Sequence, residues 1–160
     1  MFESLRQMIA ELVDGGKHPR HFDDRDFRLA AAALMVHAAS INGAASQAEQ
    51  DKVHALIKLH FNLGDVATDE LVAEATAADQ ASIDLYQFTT RLNRSLDEAA
   101  RARVVEMMWQ IVYVDGVVTE FEDNLIWRAA DLLGVSREER IALRERVAAQ
   151  GAAEAADKEA

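Results

Sequence analysis

The stretch V-D-G-V-V-T-E-F-E-D, from Val114 to Asp123, decides how this chain folds. It lies between two apolar segments of helical period. Gly116 suits the position just past a helix end, where the backbone turns left-handed. Thr119-x-x-Glu122 has the spacing of a capping box, in which each residue's side chain satisfies the other's free backbone N–H. One helix is therefore expected to end and another to begin within this stretch. An earlier stretch, I-N-G-A-A-S-Q-A-E-Q from Ile41 to Gln50, follows the same plan, with Asn42-Gly43 and then Ser46-x-x-Glu49.

The flanks extend the likeness. Before each loop runs a segment that is apolar nearly all round, the mark of a helix buried on several sides. These are F-R-L-A-A-A-A-L-M-V-H-A-A-S-I from Phe27 and R-V-V-E-M-M-W-Q-I-V-Y-V from Arg103. After each loop comes an amphipathic stripe at steps of three and four. The first is Val53, Leu56, Ile57, His60 and Phe61; the second is Leu125, Ile126, Ala129, Leu132 and Leu133. An offset of 73 residues lays Asn42-Gly43 on Asp115-Gly116, Ser46 on Thr119, Glu49 on Glu122, and His37 on Gln110. The expected fold is all-α, with seven to eight helices and two pseudo-repeated helix-loop-helix units around two buried central helices.

The rest of the chain fits this class. Phe2, Leu5, Met8, Ile9, Leu12 and Val13 make an amphipathic helix over residues 1–16, packed on or flanking the domain and ended by Gly15-Gly16. Its polar face is not basic, which argues against docking on a membrane. Lys17 to Asp26 reads as a polar loop; Pro19 between His18 and His21 argues against a helix that would pair them as ligands. The helical domain itself spans 24–150. Between the two units a weaker helix is expected from Thr68 to Ala78, then one with Leu85, Phe88, Thr89 and Leu92 inward. Ser95 with Glu98 has capping-box spacing and is read as the start of the second central helix. Gly134 ends the following helix. Ser136 with Glu139 starts the last, which is expected to reach about Ala149 and leave 151–160 as a frayed tail.

Composition sets the bounds on function. The chain has 160 residues, one proline and no cysteine, with a net charge of −11. One domain is the default at this length. Without cysteine there is no disulfide, thiolate metal site or thiol chemistry. The negative charge disfavours nucleic acid and favours cations or basic partners. No apolar run is long enough for a membrane span. The first residues carry Glu3 and Glu11 and do not read as a signal peptide, so a cytoplasmic location is expected.

The loops are where chemistry is plausible. Asp115, Gly116 and Glu122 have the relative spacing of positions 5, 6 and 12 of an EF-hand, but positions 1 and 3 would be Ile111 and Tyr113, which rules that motif out. If the two units pack about a pseudo-two-fold axis, Asp115 and Glu122 approach Glu49 and Asn42, with His37 nearby. That set of hard oxygens suits Ca²⁺, Mg²⁺ or Mn²⁺ better than Zn²⁺. Caps alone would equally account for Gly, Ser or Thr, and Glu at this spacing.

From about Phe27 to Val147 the chain resembles the TerB-like family, the relatives of tellurite resistance protein B. The residues that carry the likeness are D-L-Y-Q-F-T-T-R-L-N at Asp84–Asn93, M-M-W-Q-I-V-Y-V-D-G at Met107–Gly116 and A-D-L-L-G-V-S at Ala130–Ser136. The resemblance implies an all-α fold with an internal two-unit repeat, a link to tellurite and stress resistance, and a divalent-cation site in the two loops. It brings no enzymatic activity. The related domain at the start of the co-chaperone DjlA implies an adaptor role. Asp115, Gly116, Glu122 and Glu49 match the family's pattern; Asn42 stands where Asp is usual and His37 where Glu is frequent. Both departures remove charge, weakening a Ca²⁺ site and making Zn²⁺ relatively less disfavoured. Two functions are therefore expected to compete: a cation-binding domain, and a metal-free interaction domain with an unknown protein partner.

Overall fold

Asp26 shows how the described part of the chain begins. Its carboxylate accepts from the Arg28 backbone N–H at 2.9 Å, capping the first helix, and from the Arg28 guanidinium at 2.6 Å. Arg28 can therefore lie 5 % exposed beside its own counter-ion. The computed structural model describes residues 26–159, with side chains to Glu154. The expected helix over 1–16 and the loop holding His18 and His21 lie outside the described residues.

Seven helices and no strand are found among the described residues: α1 Phe27–Ser40, α2 Gln47–Phe61, α3 Asp65–Ala81, α4 Tyr86–Ser95, α5 Glu98–Val112, α6 Glu120–Leu132 and α7 Arg137–Glu159. None of them is long and apolar enough to cross a membrane. The central helices are α1 and α5, which pack on each other and on most of the rest. Helix α1 buries Leu29 to Met35 without a break, four of these residues being alanine. Alanine is the best helix former and its short side chain lets neighbours approach closely. Helix α5 buries Val104, Val105 and Met107 to Trp109, and it also buries Arg103 and Glu106. That pair is tolerated because the two bond each other at 3.1 Å and Arg146 of α7 holds the second carboxylate oxygen. Helix α4 packs on α1 and α6, and Asn93 donates to the Leu132 carbonyl of α6 at 2.9 Å.

Several helix ends differ from the sequence reading. Ser95 is the last residue of α4; Asp97 caps α5 by accepting from the Ala100 N–H at 2.9 Å. Leu96 lies buried between them and fixes the turn. Helix α3 begins at Asp65 and ends at Ala81, longer than Thr68 to Ala78. Its start is set by Gly64, whose carbonyl accepts from Thr68, and by the Lys58–Asp65 bridge at 2.6 Å. Helix α7 does not stop near Ala149 but runs to Glu159. A single Gly151 costs about 1 kcal/mol relative to alanine, and the alanines around it favour continuation.

Candidate functional site

The two loops that follow α1 and α5 are built alike. Gly43 has φ +119° and donates to Ser40; Gly116 has φ +81° and donates to Tyr113. Both lie beyond the position just past the helix cap, which is Ile41 in one loop and Tyr113 in the other. They close turns inside the loops, where a side chain would strain the backbone. The glycine that does sit just past a helix cap is Gly134, at φ +72° after Leu133.

Both capping boxes form. The Ser46 N–H donates to Glu49 Oε1 at 3.0 Å and the Glu49 N–H to Ser46 Oγ at 3.1 Å. The Thr119 N–H donates to Glu122 Oε1 at 2.8 Å and the Glu122 N–H to Thr119 Oγ1 at 3.2 Å. The loops also meet: the Thr119 hydroxyl donates to Asn42 Oδ1 at 3.2 Å. An amide at position 42 is a good acceptor for this bond and brings no charge beside Glu122, which is 4 % exposed.

The remaining expected site residues lie apart from this contact. His37 Nδ1 is 2.8 Å from Asp79 Oδ1, joining the end of α1 to the end of α3. Asp115 is exposed, and no hydrogen bond or ion pair to it is found among the described residues. It lines a cleft of about 580 Å³ shared with Lys52, Gln110 and Glu154. Among the described residues no three histidine, aspartate or glutamate side chains are grouped to hold a metal ion. The structure thus links Asn42 and Glu122 through Thr119, and leaves Glu49, His37 and Asp115 in separate settings.

Two further features were not singled out in the sequence. One is a cluster in which the Arg144 guanidinium lies 5.4 Å from the Trp109 ring centroid. It donates to the Tyr113 hydroxyl at 2.9 Å and to Asp123 Oδ1 at 2.8 Å. The bond to Tyr113 raises the Arg144 pKa above its ordinary value. The other is a cavity of about 320 Å³ with Ile83 and Phe121 on its wall and Ile41, Leu85 and Leu125 beneath. Ile83 is fully exposed and Phe121 is 70 % exposed. Their signal was an Ile in a polar loop and a Phe on the charged side of α6, each off the apolar stripe.

A family model described as TerB, Tellurite resistance protein TerB, matches residues 28–145, well over half of the chain. Neither the curated proteins nor the solved structures give a match.

Proposed function

The chain belongs to the TerB family, and we propose that it serves there as a non-enzymatic protein-interaction domain. The observation that carries this reading is the pair of bulky apolar side chains, Ile83 and Phe121, held open to water on one cavity wall. Grouped exposed apolar side chains on a soluble domain mark a surface that another molecule covers. The family's name, tellurite resistance protein, supports a role in resisting tellurite, which we put in the cytoplasm as part of a stress response. Quantitative affinity purification with the wild-type chain and an Ile83→Asp/Phe121→Asp variant tests the reading. A partner retained by the former and lost from the latter, at unchanged circular dichroism, is the expected result. Identical partner lists for both overturn it.

A second reading keeps a divalent cation, Ca²⁺, Mg²⁺ or Mn²⁺ ahead of Zn²⁺, and rests on Asp115. Its exposed carboxylate is not needed to end α5 or to start α6, and it faces the same cleft as Glu154. Glu49 and Glu122 each spend one oxygen on a backbone N–H, which leaves the other for an ion. Melting after chelation, with each of the four ions restored in turn, is the measurement. An ion at about 100 times its Kd adds about 2.7 kcal/mol to stability, and Asp115→Asn is expected to remove that gain. No shift with any of the four rules the cation out.

A further inference from the structure

The α1–α2–α3 and α5–α6–α7 segments agree in more than their loops. After α2 the Leu63 N–H reaches back to Lys58 O, and after α6 the Val135 N–H reaches back to Ala130 O, in each case past a left-handed residue, Asn62 or Gly134. Helices α3 and α7 then start at Asp65 and Arg137. The register is 73 residues through the loops and the start of α2 and α6, and 72 from the closing bonds to Lys58 and Ala130 onward. In that register Leu71 and Ala75, the buried face of α3, fall on Leu143 and Val147, the buried face of α7. The packing agrees as well: α1 contacts α2 and α3 as α5 contacts α6 and α7, while α2 contacts α5 as α6 contacts α1.

In the same register the four residues of the second segment's cluster, Trp109, Tyr113, Asp123 and Arg144, fall on Val36, Ser40, Gln50 and Val72. All four of those line a single cavity of about 530 Å³ between α1, α2 and α3. What the second segment fills with an indole, a phenol and a guanidinium is open space in the first. The cavity has an apolar floor of Val36, Ala39, Val53 and Val72, and its rim holds Asp51, Asp69 and Asp79 with no lysine or arginine. His37 hydrogen-bonds one oxygen of Asp79, and His54 lies 2.9 Å from one oxygen of Asp69. The Oδ2 atom of both aspartates remains available among the described residues.

With the chain taken as two three-helix units of one plan, as the family resemblance implies, we propose that the cavity of the first takes from a partner protein the arginine and aromatic ring that the second supplies for itself. This rests on the reading of the chain as an interaction domain but uses a different face from Ile83 and Phe121. A guanidinium is the cation that suits such a place, because it is weakly hydrated, stacks on rings and offers a planar fork to carboxylates. Burial of the ring on the valines supplies the apolar part of the affinity. The net charge of −11 draws a basic segment in from a distance. The same correspondence accounts for an orphan. His37 finds Asp79, whereas its counterpart Gln110 has Gly151 at that place, and the Gln110 amide oxygen is buried with no partner among the described residues.

The test is fluorescence anisotropy of the full chain with a fluorescein-labelled Ser-Trp-Arg-Ser-Trp-Arg peptide, against a control with glutamate in place of arginine. The arginine peptide is expected to bind and the control not to. Asp51→Asn/Asp69→Asn, both at exposed sites, is expected to weaken binding by about tenfold. Val72→Arg, which copies Arg144 into the first unit, is expected to abolish it at unchanged circular dichroism. Ile83→Asp/Phe121→Asp is expected to leave it unchanged, so that failure here and failure of the apolar face are separate results. Equal binding of the control, no binding of either peptide, or binding indifferent to both cavity variants overturns the proposal. A wild-type dimer that Val72→Arg dissociates assigns the cavity to a second copy and also overturns it.

Discussion

Glu106 is 3 % exposed, with Arg103 one turn before it and Arg146 reaching in from α7. Breaking a buried pair by removing one partner leaves a charge without compensation and costs several kcal/mol. Glu106→Ala is expected to lose about 3 kcal/mol, read from urea denaturation, and Glu106→Leu less, because it refills the space. The sequence reading passed over Glu106 within a segment taken as apolar nearly all round. The Arg103 spacing was visible there, but Arg146 lies 40 residues away, and no local pattern announces such a pairing. Asp115 is the opposite case. Its position was legible and its setting was not, since exposure is decided by how far the neighbouring helices reach.

At the scale of elements, the capping boxes were the most legible feature, because every atom they need lies within four residues. Ser46→Ala is expected to cost about 1 kcal/mol. Thr119→Ala is expected to cost more, since Thr119 also holds Asn42. A double-mutant cycle on Asn42→Ala and Thr119→Ala measures the difference directly, and exact additivity would deny the loop-to-loop bond an energetic role. The Lys58–Asp65 bridge makes a statement about pH. Lys58, by its hydrogen bond and its charge, holds the Asp65 carboxyl below its ordinary value of 3.8. A lowered carboxyl stabilises the fold above the unfolded value, and that contribution disappears as pH falls through the folded value. Asp65→Asn is therefore expected to lower the melting temperature slightly at neutral pH and to make no difference in strong acid. The Ser95 misreading has a physical source: Ser-x-x-Glu also occurs by chance, and the buried Leu96 moved the helix start to Asp97.

For the whole molecule, the all-α class followed from period and composition, while the cavities did not. They depend on which side chains fail to fill space between helices far apart in sequence, as Val36 and Val72 do. The net charge of −11 is spread over 160 residues, and like charges repel within the Debye length. Raising salt from about 10 mM to about 500 mM is expected to raise the melting temperature by a few degrees; a fall would show that attractive surface pairs dominate. The tie between Glu106 and Arg146 has a consequence for synthesis. The chain is made from its N-terminus, so Glu106 leaves the ribosome well before the helix that completes its surroundings. Until α7 clears the exit tunnel, the carboxylate has Arg103 alone and the face of α5 that α7 covers is wet. The core closes only once α7 has left the tunnel and Arg146 has reached Glu106.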